Sequence, residues 1–589
     1  MPGAHAQFTI SATSTWQRDT VVHSAVVNGN QVRGLAFNGT NVVVSAGGSS
    51  VSVLADADGS LVNTLSTTTA ADAFDIDGNS NTAETFNVGG GTVGPCKLVS
   101  ANDGSVYGCS FGVDSVFYRW NATTGFGAAA APQAVGRQLD LAGTANIGLR
   151  TMDVIGTDTG TRIYAFVTNT GTNPQVRIYH TTDGNRFNSE ELVTVAPIQT
   201  LGPNLIIAKN GNSGVAGDVF YTSGGGLILA RYVRSSTVNV WNRDMLFSGI
   251  LPPTIALGTH SGAYFQASGK DLLAIMRNTA TAGEENKMYF LNGITGAVLG
   301  NFTPTTFGAV TNAGNGGLQV VPATATTGTI YFGAPDRDGV GKLSYTATPV
   351  TPSTVTAGGV VINEAGIPES GTDNDEFVEL YGPASQSLTG LDLLFLNGAS
   401  GNTSGVYRIV SLDSRTVPAD QFFVAGAGAA SPAYADLYLG AINDVIRNGD
   451  PDAIALRRRH DGLVIDAVTY TTQFDTVPGA PEYGALTVGI YEGIGFGGFG
   501  DDTFPTQTFT ATVFTQVLDA SMGRFPDGKD SDVNFNNFFT IYPRTSGTAN
   551  TATAAAAIPL AETFTGTLVG TWLGNFQPIV FETTATALP

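Results

Sequence analysis

Charge is scarce in this chain: charged residues make up 13% of it, about half the usual ~25%, and lysine occurs six times in 589 residues. The 27 basic side chains face 48 acidic ones, for a net charge of -21. An acidic chain repels phosphate backbones, so nucleic-acid binding is disfavoured unless metal ions intervene. No run of 18 or more apolar residues occurs, which leaves no membrane-spanning helix and no expected membrane insertion. Residues 7–347 also lack helical periodicity. No His-Glu-x-x-His pair or Gly-x-Ser-x-Gly nucleophile turn accompanies His23, His180 or His260, so each histidine reads as structural.

Cysteine occurs twice. Cys96 and Cys109 flank a hairpin pattern whose turn lies at Asn102-Asp103-Gly104, and a two-residue turn there sets the two opposite each other, favouring a disulfide in an oxidising compartment. The opening Met-Pro-Gly-Ala-His-Ala-Gln points to the same compartment. Residues 1–6 read as a signal-peptide remnant, with Ala4 and Ala6 at the positions a signal peptidase reads and Gln7 as the mature start. Export to the cell surface or beyond is the expectation. Abundant Gly (75 residues), Thr, Ser, Ala and Asn give an uncharged, hydroxyl-rich surface.

Over residues 7–347, short runs rich in Val, Ile, Phe and Tyr recur between Gly, Asn, Asp and Thr clusters, a β pattern throughout. Turn glycines Gly59, Gly125, Gly184 and Gly296 are spaced by 66, 59 and 112 residues, the last interval being two periods. The turn missing from the series falls at Ser235–Asn239. Three or four strands per period predict a β-propeller, six-bladed by the count, with each blade's apolar faces covered by its neighbours. An orphan strand, Phe8 to Trp16, is expected to supply the outermost strand of the last blade. Residues 348–359, uncharged and holding Pro349 and Pro352, read as a linker.

From residue 360 to 550, alternating runs at Val360–Ala365, Asp375–Tyr381, Leu391–Leu396, Gln421–Val424, Ala453–Leu456 and Leu463–Tyr470 predict a two-sheet β-sandwich. These pieces resemble the lamin-tail family. Ile362-Asn-Glu with Glu376-Phe-Val-Glu-Leu-Tyr381 is similar to its first hairpin, and Ser387-Leu-Thr-Gly-Leu-Asp392 to the turn that follows. Arg447-Asn-Gly-Asp450 through Tyr470 resembles its central strands, and Ser521-Met-Gly-Arg-Phe-Pro-Asp-Gly528 with Pro543–Asn550 its C-terminal end. The resemblance implies an immunoglobulin-like accessory module of secreted bacterial proteins, without catalytic residues. A Gly-, Phe- and Thr-rich insertion over residues 471–515 departs from it.

Two loops carry alternating oxygen ligands of the kind calcium takes. Asp527, Asp530, Asp532 and Asn534 lie in a loop that Pro526 and Gly528 keep irregular, and the role expected of them is a structural calcium clamp. Asp75, Asp77, Asn79 and Asn81 form a second candidate with Gly78 misplaced for an EF-hand; Asp336-Arg-Asp-Gly339 is weaker. Glu364, Glu376 and Glu379 read as solvated edge acids, and Arg457–His460 as a solvated hairpin tip. Residues 551–589 form a spacer and a β-prone tail in which Phe564, Leu568, Trp572, Ile579 and Phe581 are candidate assembly residues, because an isolated strand pair is marginal in water.

The sequence therefore predicts an all-β chain: an exported, non-enzymatic structural protein that assembles with copies of itself into a filament, tube, sheath or surface layer. Two alternatives stand beside it. One is an extracellular glycan-binding or adhesion protein; the other is a secreted metal-dependent hydrolase of phosphodiesterase type, using acids near Asp75 or Asp336.

Overall fold

The computed structural model describes residues 7–19, 32–46, 50–66, 68, 97–109, 112–113, 116–137, 147–169, 175–196, 201–208, 216–224, 229–237, 239–244, 246–247, 261–277, 287–304, 316–334, 339–350, 353–356, 358–367, 375–397, 405–428, 434–440, 445–447, 452–471, 496–497, 521–531, 537–541 and 544–550. The chain is all-β and divides into two units, the first being Phe8–Val350 and the second built mainly from residues beyond 350. The strand Gly339–Val350 runs three residues past the expected boundary at 347.

Among its described residues the first unit holds six sheets in chain order. They open on the strands Val32–Phe37, Lys97–Ser100, Ile147–Ile155, Leu201–Ala208, Ser261–Ala267 and Gly317–Pro322. Successive strands then pair antiparallel outward; the third sheet adds Gly112–Val113 on the other side of Ile147–Ile155, and the fourth a parallel edge strand, Thr194–Ala196. Each opening strand neighbours that of the next sheet, and the sixth returns to the first. Apolar clusters fill the spaces between sheets. Val43, Val53, Val106 and Trp120 join the first to the second, and Tyr164, Ile178, Phe220 and Trp241 join the third to the fourth.

Turn chemistry explains the repeat. Gly59, Gly184 and Gly296 each sit at φ +74°, a left-handed conformation that costs glycine little. Where the series lacks its glycine, Asn239 takes φ +62° instead, as asparagine tolerates. The N-terminal strand Gln7–Asp19 lies where the sequence places it, outermost in the sixth sheet beside Gly339–Val350. Phe8, Ile10 and Trp16 on it are buried. Removing residues 7–19 is therefore expected to lower the melting temperature of the first unit by several degrees, read by calorimetry on the otherwise full chain.

Among its described residues the second unit has two sheets. One orders Leu437–Tyr438, Phe422–Ala427, Glu376–Tyr381, Val361–Gly366, Ser521–Arg524 and Phe538–Ile541; the other orders Gly405–Ser411, Leu391–Asn397, Asp452–Arg458, Val464–Thr471 and Phe496–Gly497. Ile362, Val378, Leu380 and Phe423 of the first share one apolar core with Leu393, Phe395, Ile454 and Val468 of the second. Period-two alternation delivers this, since every second side chain of each strand points inward.

Candidate functional site

One group of deeply buried polar residues in the second unit gathers around the strand Ser521–Arg524, which pairs with Val361–Gly366 on one side and Phe538–Ile541 on the other. Arg524 is fully buried. Its Nη2 donates to Asp466 Oδ1 at 2.7 Å, its Nε to the Ile362 carbonyl at 2.8 Å and its Nη1 to the Lys529 carbonyl at 2.6 Å. Asp466 Oδ2 accepts the Ile362 N–H at 2.5 Å. The guanidinium also lies over the Phe538 ring, 4.6 Å from its centroid. Arginine suits this position because its planar fork satisfies several acceptors at once.

Beside it, Glu364 and Glu379 stand opposite each other on paired strands, both fully buried. Glu364 accepts hydrogen bonds from the Ser521 hydroxyl, from Thr545 N at 3.0 Å and from Thr545 Oγ1 at 2.7 Å. Glu379 accepts from Asn363 Nδ2 at 2.9 Å and Gly547 N at 2.6 Å. Asp527 Oδ1 accepts from Asn363 Nδ2 and from Asn550 N, both at 3.0 Å, while Asn363 Oδ1 takes the Gly528 N–H at 2.9 Å. The segment from Arg544 to Asn550 is thus fastened to three acids. Gly528 has φ +69°, and a Cβ on it would stand 2.5 Å from the Tyr381 ring, so glycine is required twice over.

Burial and the neighbouring Glu364 push the Glu379 carboxyl up to about 9, against its hydrogen bonds from Asn363 and Gly547. Burial raises Glu364 too. A raised carboxyl beside a second acid is a pattern found in general acid catalysis. Here every carboxylate oxygen named above is held by a protein donor and covered, so the arrangement fastens backbone segments together.

Two expectations are corrected. Glu364, Glu376 and Glu379 are not solvated edge acids; all three are fully buried, because loop segments cover their faces and donate backbone N–H groups to them. For Glu376 those donors are Val445 N at 2.5 Å and Ile446 N at 3.1 Å. Arg457–His460 is not a solvated tip either, since Arg457, Arg459 and His460 are buried. Asp392 pairs with Arg457 at 3.1 Å and with Arg459 at 2.7 Å, and Asp413 takes Arg459 at 2.6 Å. Opposite charge supplied from neighbouring strands and turns is what permits their burial.

Of the calcium-loop residues, Asp527 serves the clamp above and Asp530 lies 3.4 Å from Arg524 Nη1; Asp532 and Asn534 lie outside the described residues, as do Asp75, Asp77, Asn79, Asn81 and Asp336. Among the described residues no group of three or more His, Cys, Asp or Glu side chains is placed to hold a metal ion. Cys109 is buried and faces Lys97, because the turn holds three residues, Asn102 to Gly104; Cys96 lies outside the described residues, as do the tail residues Phe564, Leu568, Trp572, Ile579 and Phe581. His180 approaches Glu191 at 3.7 Å, and Glu191 also binds Arg234 at 2.9 Å and Trp241 Nε1 at 3.2 Å across the third and fourth sheets. Asn363, Thr545, Gly547 and Asn550 carry the clamp without having been singled out one by one. Their signal lies in the Ile-Asn-Glu and Thr-x-Gly-x-x-Asn patterns at the two ends of the sandwich.

No family model and no curated protein matches the chain. Among solved structures, one titled "Structure of U3-55K" aligns with a TM-score of 0.30 and 8% identity, covering 56% of this chain and 98% of that one. A protein of unknown function from Dyadobacter fermentans aligns with a TM-score of 0.33 and 10% identity, covering 59% of this chain and 100% of its own.

Proposed function

We propose that this chain is an exported, non-enzymatic structural protein of the cell surface or extracellular matrix that assembles with copies of itself. In this reading the first unit is a six-bladed propeller closed by its N-terminal strand, and the second is an immunoglobulin-like sandwich of lamin-tail type. The cycle of neighbouring opening strands supports the propeller. The observation that carries the functional reading is the inward commitment of the second unit's buried charges: Arg524, Asp466, Glu364, Glu376 and Glu379 are all spent on fastening segments together. Charges held in this way favour a structural role for the second unit.

The tail from Thr563 to Phe581 is the assembly element, adding strands to another copy in a head-to-tail, open-ended series. Light scattering tests it: the full chain is expected to give large, concentration-dependent species, and a chain ending at Asn550 to remain monomeric. A monodisperse full-length monomer would count against the proposal. A calcium ion in the Asp527–Asn534 loop belongs to the same reading and rests on the oxygen content of the loop. With it, chelation lowers the melting temperature of the second unit; unchanged melting removes the ion from the account.

A further inference from the structure

Three of the six interfaces between sheets in the first unit share one device. On the middle strands of the second, fourth and sixth sheets a tyrosine stands opposite a basic residue: Tyr107 opposite Arg119, Tyr221 opposite Arg231, and Tyr331 opposite Lys342. Each couple reaches a turn of the following sheet. Arg119 Nη1 donates to the Gly184 carbonyl at 2.6 Å, and Tyr221 OH to the Gly293 carbonyl at 2.7 Å. Tyr331 OH donates to Asp56 Oδ1 at 2.6 Å, and Lys342 Nζ lies 2.7 and 2.8 Å from the two Asp56 carboxylate oxygens.

The intervening interfaces carry apolar couples as well. Val43 faces Val53 on the first sheet and Tyr164 faces Ile178 on the third. On the fifth sheet Leu273, Ile275, Tyr289 and Leu291 pack toward the fourth, so alternation turns the Ala274–Phe290 couple toward the sixth. Other contacts bridge these three interfaces, among them Glu191 to Arg234 and the Ser268 N–H to the Ala325 carbonyl, and on the fourth sheet Tyr232, packed toward the third, stands opposite Arg243.

We propose that the clasp at Asp56 is the lock on which closure of the ring depends. The inference rests on the closed ring and is independent of self-assembly. Tyr107, Tyr221 and Tyr331 are spaced by 114 and 110 residues, a two-sheet period that the one-sheet glycine ruler conceals. The sixth–first interface differs from the others in joining the start of the described chain to the end of the unit. Asp56 collects donors from three strands there, since Trp16 Nε1 of the N-terminal strand binds its carbonyl at 2.9 Å. The Trp16 ring lies against Gly59, where an added Cβ would be 2.7 Å from it. Asp56 therefore fastens Gln7–Asp19, Thr327–Ala334 and Gly339–Val350 to the first sheet together.

Hydrogen exchange on the full chain tests this. Asp56→Ala keeps the carbonyl that Trp16 uses and removes both carboxylate contacts, so amides of residues 7–19 are expected to exchange about ten-fold faster or more, with the second and third sheets unchanged. Lys342→Met, which leaves the Tyr331 bond, is expected to produce a smaller increase at the same residues and guards against a misfolded Asp56 variant. Arg119→Met is expected to accelerate exchange at residues 181–187 and to spare 7–19. Protection of 7–19 in the parent chain with no response to Asp56→Ala would overturn the clasp, as would acceleration spread equally over all six sheets. Absence of protection at 7–19 in the parent chain would overturn ring closure itself.

Discussion

Replacing Arg524 by alanine lowers the stability of the second unit by about 3–5 kcal/mol, the range for breaking a buried ion pair by removing one partner. The size follows from what is left behind. Asp466, fully buried, keeps one backbone donor, the Ile362 N–H, and loses its cation. The Ile362 and Lys529 carbonyls lose their partners as well, and the face of Phe538 loses the guanidinium. Arg524→Lys recovers little, because a single ammonium cannot span three acceptors that lie on separate segments. Paired replacement of Arg524 and Asp466 by apolar residues is expected to cost less than Arg524→Ala, since no orphaned charge remains. Urea unfolding of the full chain, following the second unit's transition, measures all three; equal and small effects would show that Arg524 is not the hub.

The second unit also loses stability as pH rises from about 5 toward 9. The folded state keeps a proton on Glu379 up to about 9, whereas the unfolded chain releases it near ~4.3. Between these values the folded state binds more protons than the unfolded one, so stability falls with rising pH, by up to about 1.4 kcal/mol per pH unit for one fully linked proton. Glu364, raised by burial, acts in the same direction. Asp413 and Asp461 act oppositely. Although burial raises both, hydrogen bonds from Arg459 and Arg458 respectively outweigh it and hold them below the usual carboxylate range, so their contributions are lost in acid. Glu379→Gln cannot titrate, so it flattens the decline while costing about 1 kcal/mol at low pH, where its amide replaces an acceptor facing Gly547 N–H. Thermal melts of parent and variant from pH 5 to 9 read the difference; parallel curves would contradict the assignment to Glu379.

Much of the fold is legible in the sequence because its causes are local. A turn needing a left-handed residue leaves a glycine, and Gly59, Gly184 and Gly296 mark the repeat; Asn239 fills the gap in the series. The extra strand Phe8–Trp16 shows itself by having no set of its own. The charges of the second unit are misread for the opposite reason. Alternation states which face of a strand Glu376 or Glu379 takes, and nothing about what covers that face. The covers are Val445–Ile446 and Thr545–Asn550, whose docking is long-range in sequence. Arg457 and Arg459 read as part of a solvated run until Asp392 and Asp413, distant in sequence, are placed against them. Asp527 attracts notice as a cation ligand because its neighbours are acids, yet its carboxylate accepts from Asn363 and Asn550.

The most direct measurement is negative-stain electron microscopy of the purified full chain beside a chain ending at Asn550. The account predicts ordered, open-ended polymers from the full chain and single two-unit particles from the shortened one. Single particles from both would contradict it.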